Sequence, residues 1–210
     1  YVALRASGTH TEPKPGDRLP LGGVDVVVLA SAGDILTAPL TGAGQPNPAC
    51  TGSGEPAQEK TENPRSTAIR VQFGAFRFLN VGDLSGAPLF ALTCPTNLIG
   101  TAQLYLIAHH GGNDGADPSL FAAVKPRVAI MNNGPRKGAQ ARTFATIRGI
   151  RTIDGWQLHR SDNANIENFA DARIANLDEN TSAWLKVSAS LDGSFTVTNG
   201  RTGHSTAYPR

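Results

Sequence analysis

The hydrophobic residues of this chain fall in short runs that predict β-strands, and Gly and Pro residues separate one run from the next. The run VDVVVLA at 24–30 is almost continuously apolar, which is typical of a buried strand. The alternating segment STAIRVQF at 66–73 and the segment FRFLNV at 76–81 lie on either side of Gly74–Ala75, and this arrangement predicts a β-hairpin. A further apolar run, LYLIA at 104–108, predicts another strand.

Helical segments alternate with strands in the middle of the chain. Helices are predicted at 87–95, 117–126 and 141–150, with a strand at 127–133. The second helix has clear boundaries, because Asp117 is a favourable N-cap and a Pro follows its last turn. Strands and helices in alternation predict the α/β (α+β) class, with helices layered on a sheet.

Two segments lack hydrophobic periodicity. Residues 37–65 are rich in Pro, Gly, Ser, Thr and Asn, and a loop of this length inside a compact domain is typically functional or mobile. Residues 160–181 are polar and rich in Asn, and we expect a surface excursion there. The last predicted element is a hairpin at 184–198, whose turn is Leu-Asp-Gly. No boundary or internal repeat divides the chain, so residues 1–210 are expected to form a single domain.

Composition narrows the function classes. A chain of 210 residues with 40% hydrophobic and 17% charged residues can build one full core. The formal net charge of +2 is small and the basic residues are scattered, so a nucleic-acid partner is not indicated. No run approaches the roughly 18 apolar residues that a membrane span needs, and no span is expected.

The two cysteines leave two alternatives open. Cys50 and Cys94 both lie in loops that contain Pro, and they form either one disulfide or two separate buried thiols. A disulfide implies an oxidising compartment. The chain begins at Tyr1 rather than Met, and we expect that processing or truncation removed a preceding segment. Together these features favour a periplasmic or secreted protein.

Candidate metal ligands follow two of the predicted strands. Asp83 comes after Gly82 at the end of the hairpin, and His109 and His110 follow the strand at 104–108. Carboxylate oxygens and imidazole nitrogens suit zinc, manganese or iron. Each motif alone has another explanation, because a Gly-Asp pair is a common turn and a His pair is often structural or merely exposed. Their occurrence at two strand ends favours a metal site.

The order of these motifs resembles the metallo-β-lactamase-fold hydrolases, in particular the branch of the soluble domain of the competence protein ComEC. The similarity covers about 63–158 and runs through NPRS at 63–66, a hairpin, GDL at 82–84, HHG at 109–111 and AVKPRVAIMNNG at 123–134. The resemblance implies an αββα sandwich, of which this chain would be the C-terminal portion.

The resemblance also implies roles for the candidate ligands. In that family the Asp of the GD motif bridges two metal ions and a His of the HHG motif completes the second ion's shell. By position, Asp83 would be the bridging ligand and His109 or His110 the terminal one. His109 is favoured because it directly follows the strand, and His110 would then support the ligands or donate a proton to the leaving group. Asp83 and His110 are thus the implied catalytic residues, and two Zn ions, with Mn or Fe as alternatives, are the implied cofactor.

Residues beyond the next strand are candidates for contacting substrate. Arg136 and Lys137 lie where the family places substrate-facing residues and could neutralise a phosphate. The alternative is an ordinary solvated turn. Asn132 and Asn133 end the same strand and are candidate donors to substrate, whereas Asn63 and Ser66 are expected to fix the start of the hairpin.

One departure from the family changes the expected function. The first metal motif of the family, HxHxDH, is absent, because the histidines are His10, His109, His110, His159 and His204. We expect an N-terminal half or a companion segment to supply the missing ligands. The hypothesis is a metal-dependent hydrolase that acts on a small-molecule substrate. The bond it cleaves would be a phosphoester or another ester- or amide-like bond. The alternative is a non-catalytic binding or assembly module. His159 follows Trp156 and could pack near the site, but a position at the edge of the domain is expected.

Overall fold

The computed structural model describes residues 2–51, 56 and 60–210. The strands are β1 Arg18–Leu19, β2 Asp25–Ser31, β3 Asp34–Ile35, β4 Ala68–Phe73, β5 Phe76–Asn80, β6 Leu104–Leu106, β7 Val128–Met131, β8 Asp154–His159, β9 Ile174–Asn176, β10 Leu185–Ala189, β11 Phe195–Asn199 and β12 Ser205–Tyr208. The helices are α1 Val2–Arg5, α2 Gly86–Ala91, α3 Pro118–Val124 and α4 Ala141–Gly149. The chain is therefore mixed α/β, as the sequence predicts.

One large mixed sheet organises the described part of the chain. Its strand order is β1-β2-β4-β5-β6-β7-β8-β9, with β3 paired to β2. The pairs from β1 to β5 are antiparallel, and those from β5 to β9 are parallel. Parallel neighbours need crossover connections. The connections from β5 to β8 contain α2, α3 and α4, and the one from β8 to β9, residues 160–173, contains no α-helix. The carboxyl ends of β5 to β8 consequently lie along one edge of the sheet, and the segments that follow them are neighbours.

The large sheet is covered on both faces. Tyr105 and Met131 belong to the main core, which the sheet shares with α2, α3 and α4. Leu104 and Ile130 lie on the opposite face and pack with Phe195 of the three-stranded sheet β10-β11-β12. Successive side chains of a strand alternate between the two faces, so a strand buried on both sides is apolar throughout. This explains the short continuous apolar runs in the sequence.

Several predicted elements are confirmed. The strand at 24–30 corresponds to β2, and the predicted hairpin pairs β4 with β5 at Phe73 and Phe76. Asp117 caps α3, since its side chain accepts a hydrogen bond from the backbone N–H of Ser119 at 2.8 Å. The helix at 141–150 is α4, and the C-terminal hairpin pairs β10 with β11.

Two predicted elements are shorter than expected. The helix predicted at 87–95 ends at Ala91, because the chain turns there and the N–H of Leu98 donates back to the carbonyl of Leu92. The strand predicted to continue to Ala108 ends at Leu106. Its last predicted residue instead begins a 3-10 turn that contains both histidines.

The prediction of a surface excursion at 160–181 is wrong for part of that segment. Ile174–Asn176 is a buried strand that extends the sheet by pairing in parallel with β8. Its polar neighbourhood is compatible with burial because asparagine side chains bond to backbone groups. The amide of Asn176 donates to the carbonyl of Ala183 at 3.0 Å, and Asn168 accepts from the N–H of Ser161 at 2.7 Å.

The two cysteines form a disulfide, with 5.8 Å between the Cα atoms of Cys50 and Cys94. The bridge ties the predicted 37–65 loop to the segment that follows α2. Residues 52–55 and 57–59 of this loop lie outside the described residues, so its predicted mobility stays a prediction. Among the helices of the described residues, none has the length and hydropathy needed to cross a bilayer.

Candidate metal centre

The ends of β5 and β6 bring Asp83 and His110 together. Oδ1 of Asp83 lies 3.4 Å from Nε2 of His110, and both side chains are about one-third exposed or less. The two segments are also joined through the backbone, since the N–H of His109 donates to the carbonyl of Gly82 at 3.0 Å. The GD and HHG motifs therefore meet at the edge of the sheet.

The backbone of the two histidines has an unusual conformation. His109 has φ 49° and ψ 46°, and His110 has φ 58° and ψ 20°, both in the left-handed region. This region costs about 1–2 kcal/mol for a residue with a side chain. Hydrogen bonds keep the turn in place, among them the N–H of Ala139 donating to the carbonyl of His110 at 3.0 Å. Such strained residues concentrate at functional sites.

The hydroxyl of Tyr105 forms hydrogen bonds on both sides of the histidine turn. It accepts from the N–H of Ala108 at 3.0 Å and donates to the carbonyl of Gly115 at 3.1 Å. The side chain is completely buried, and burial raises the pKa of Tyr105 well above its usual range. The hydroxyl thus joins the beginning of the histidine turn to the loop that follows it.

Replacing Tyr105 by Phe is expected to lower the free energy of unfolding at pH 7 by about 1–3 kcal/mol, because two buried backbone groups lose their partner. The raised pKa adds a pH effect. The unfolded chain releases the tyrosine proton from about pH 10, so the Tyr105 contribution is intact below that pH and is lost as the pH rises further. Urea titrations at several pH values check this.

In the Phe variant, stability should fall less steeply above pH 10 than in the wild type. Some decline will remain in the variant, because burial also raises the pKa of Tyr208, to about 12. Parallel alkaline declines in wild type and Tyr105→Phe would contradict the assignment.

A backbone carbonyl orients the ring of His110. Nδ1 of His110 lies 2.9 Å from the carbonyl oxygen of Asn132. A carbonyl can only accept a hydrogen bond, so Nδ1 carries a proton. A neutral ring then presents the lone pair of Nε2 to the carboxylate of Asp83, whereas a ring with a second proton would donate from Nε2 to that carboxylate. A protein-held Nδ1–H of this kind is typical of histidines that bind metal through Nε2.

His109 has different partners. Its Nδ1 lies 2.9 Å from Oδ2 of Asp114, and its Nε2 lies 3.4 Å from the side-chain nitrogen of Asn63. The Asp114 carboxylate therefore orients the ring, and Nε2 accepts from the amide. The structure places His110, and not the favoured His109, beside Asp83. Neither Asp114 nor the contact of Asn63 with His109 was predicted.

The predicted substrate-facing residues are placed differently from one another. Asn132 is exposed, and its backbone carbonyl holds His110. Asn133 is 2% exposed, and its side-chain amide donates to the carbonyls of Gly134 and His159, so backbone groups occupy it. Arg136 and Lys137 are exposed on the turn after β7. The side-chain nitrogen of Asn133 therefore already donates to two backbone carbonyls of the fold.

The donors present match one side of a metal site. Asp83 offers an oxygen and His110 a nitrogen, which are two of the four ligands of tetrahedral zinc. Within residues 2–51, 56 and 60–210, no group of three or more His, Cys, Asp or Glu side chains is placed to hold a metal ion. The chemistry of these two donors fits a divalent ion, and a full coordination shell needs further ligands.

Two Asp–His pairs with different geometry therefore stand at the sheet edge. When the His110 ring is neutral, it and Asp83 face one another as two acceptors, which suits a cation, whereas Asp114 orients His109 in a way that suits proton transfer. Comparison of the chain with protein-family models and with curated proteins finds no match.

Proposed function

We propose that Asp83 and His110 are ligands of a divalent-metal site in a hydrolase that cleaves a phosphoester or another ester- or amide-like bond. One observation carries this proposal: the Asn132 carbonyl holds Nδ1 of His110, so Nε2 faces the Asp83 carboxylate at 3.4 Å. With a neutral ring these are two acceptors, which repel one another unless positive charge lies between them, from a cation or from a second proton on the ring. A divalent cation supplies that charge and accepts both donor types.

The position of the pair in the fold supports the proposal. Ligands of open α/β sheets bind beyond the carboxyl ends of the parallel strands, and Asp83 and His110 follow the carboxyl ends of β5 and β6. The left-handed backbone of His109 and His110 adds strain at the same point.

Each side chain has a separate task in the proposed reaction. Asp83 and His110 would hold the ion, which when bound would lower the pKa of water and polarise the bond to be cleaved. His109 would move the proton, because Asp114 holds its Nδ1–H. In the reaction the attacking water would replace the Asn63 amide, 3.4 Å away, at Nε2, which would accept the water proton and return it to the leaving group. These roles exchange those that the sequence favours for the two histidines.

The remaining ligands are assigned by the resemblance to the metallo-β-lactamase fold. That family carries them in the HxHxDH motif, which this sequence lacks. Under the proposal an N-terminal half or a companion segment provides them, completing an αββα sandwich and a site for two ions. Zinc is the proposed metal, with manganese and iron as alternatives, and Arg136 and Lys137 would face the substrate.

Hydrolysis assays on the protein test the proposal. The protein assayed includes any segment that its gene encodes before Tyr1. We expect cleavage of p-nitrophenyl phosphate esters or p-nitrophenyl acetate with zinc or manganese, and loss of cleavage in EDTA. Asp114→Asn should lower kcat about 100-fold, because His109 loses the group that orients it for proton transfer. Its metal content should not change, since Asp83 and His110 remain.

Asp192→Asn is the matched control, because this carboxylate lies in the turn between β10 and β11 and accepts from Ser194. It should leave kcat and metal content unchanged. A protein that binds metal fully but cleaves none of these esters would support the non-catalytic binding or assembly module instead.

A further inference from the structure

A basic cavity lies at the turn that follows β7. This cavity is a shallow depression that is open to solvent, with a volume of about 500 Å³. It is lined by Gly134, Pro135, Arg136, Lys137, His159 and Glu179. Neither Arg136 nor Lys137 forms a salt bridge with a described residue. Glu179 supplies a single carboxylate to the lining, so the cavity keeps a net positive charge.

The turn that carries Arg136 and Lys137 is held rigidly. It is closed by a hydrogen bond of 3.0 Å from the N–H of Gly134 to the carbonyl of Lys137. The N–H of Asp162 donates to the carbonyl of Pro135 at 2.8 Å, which ties the turn to the segment after β8. A preformed turn presents its side chains to a ligand with little further loss of backbone entropy.

Both ends of this turn are attached to His110. Before it, the carbonyl of Asn132 accepts from Nδ1 of His110 at 2.9 Å. After it, the N–H of Ala139 donates to the carbonyl of His110 at 3.0 Å. A group bound by Arg136 and Lys137 is therefore held by the same short segment that positions the proposed metal ligand.

His159 contributes a donor to the cavity. Its Nδ1 is buried and has no hydrogen-bond partner within the described residues, whereas the side chain as a whole is partly exposed. Nε2 is consequently the ring atom that a ligand in the cavity can reach. An unpaired buried N–H is less favourable than an unpaired acceptor, so the neutral ring carries its proton on Nε2.

We infer that Arg136, Lys137 and His159 bind the anionic oxygen atoms of a phosphate group. The planar guanidinium, the ammonium and the imidazole N–H supply donors for a tetrahedral anion with several oxygens. The site orients phosphoester substrates toward Asp83 and His110, and this second statement rests on the proposed function. His159 thereby acts at the site and is more than an edge residue.

Calorimetric titration of the whole chain with inorganic phosphate and with phenyl phosphate, in buffer containing EDTA, tests the inference. We expect one saturable site for each. Arg136→Gln/Lys137→Gln should weaken binding about tenfold or more, and His159→Phe about threefold or more, as charge-assisted hydrogen bonds are lost. The control Arg151→Gln/Lys186→Gln removes the same charge from exposed positions elsewhere and should change binding less than about twofold.

Equal weakening in the two double variants would show general charge attraction and overturn the inference. Absence of saturable binding, or benzoate binding as tightly as phenyl phosphate, would overturn it as well. Metal is absent from the titration, so its outcome is independent of whether Asp83 and His110 bind an ion. If the wild-type protein binds no metal in a separate zinc titration, that result contradicts the proposed function alone.

Discussion

Replacing Asp83 by Asn is expected to weaken zinc or cobalt binding at least about 100-fold. This loss is larger than the loss expected when a residue that only hydrogen-bonds to a ligand is replaced. Asn keeps the shape of the side chain but removes the anionic oxygen that faces Nε2 of His110. Asp83 is 36% exposed, so the fold should tolerate the change. His110→Gln should have the same effect because it removes the nitrogen donor. Equilibrium dialysis with metal analysis of the protein, including any segment encoded before Tyr1, measures the loss.

His109→Gln separates the two possible ligand assignments. Asp114 and Asn63 occupy the ring nitrogens of His109, so this variant should keep most of its metal. His204→Gln, in the turn between β11 and β12, is the control and should keep all of its metal. If His109→Gln loses metal while His110→Gln retains it, the assignment favoured by the sequence is right and the one proposed from the geometry is wrong.

Gly138→Ala is expected to lower the free energy of unfolding by at least about 4 kcal/mol, a value that single substitutions reach only through severe strain or loss of packing. Gly138 has φ +66°, and a Cβ atom there would lie 2.0 Å from the carbonyl oxygen of His110. This neighbour is backbone, so relief of the clash requires His110 itself to move. We therefore expect weaker metal binding in addition to the loss of stability.

Gly203→Ala is the matched control for this substitution. Gly203 has φ +72°, nearly the same conformation, but a Cβ atom there would have no neighbouring atom within 4 Å. Its cost should be the conformational penalty alone, about 1–2 kcal/mol. Urea denaturation of both variants gives the comparison. Equal destabilisation of the two variants would mean that the clash with the His110 carbonyl adds nothing to the free-energy cost of Gly138→Ala, and it would contradict the prediction.

The strongly patterned elements were predictable from the sequence, and the weakly patterned strands were not. β2 and the β4–β5 hairpin are apolar or alternating, so burial alone determines them. No strand was predicted at β8, where buried Gln157 interrupts the apolar pattern. Its side chain donates to Asn168 and accepts from the N–H of Phe169. Such compensation depends on residues distant in the sequence, and local patterns do not contain it.

The meeting of the GD and HHG motifs was predictable, but the identity of the histidine beside Asp83 was not. Two consecutive left-handed residues decide which ring faces the carboxylate, and nothing in the residue types of His109 and His110 predicts that backbone. Asn63 reaches His109 from the end of the 37–65 loop. Long-range placement of this kind depends on the fold as a whole.

Nitrogen NMR of the His110 imidazole at pH 8, before and after addition of zinc, tests the central claim most directly. The predicted result is a proton on Nδ1, held by the Asn132 carbonyl, and an unprotonated Nε2 whose resonance shifts when zinc is added. A proton on Nε2 in the absence of zinc, with no change after its addition, would contradict the account. Asp83 and His110 would then be an ion pair and not the ligands of a metal.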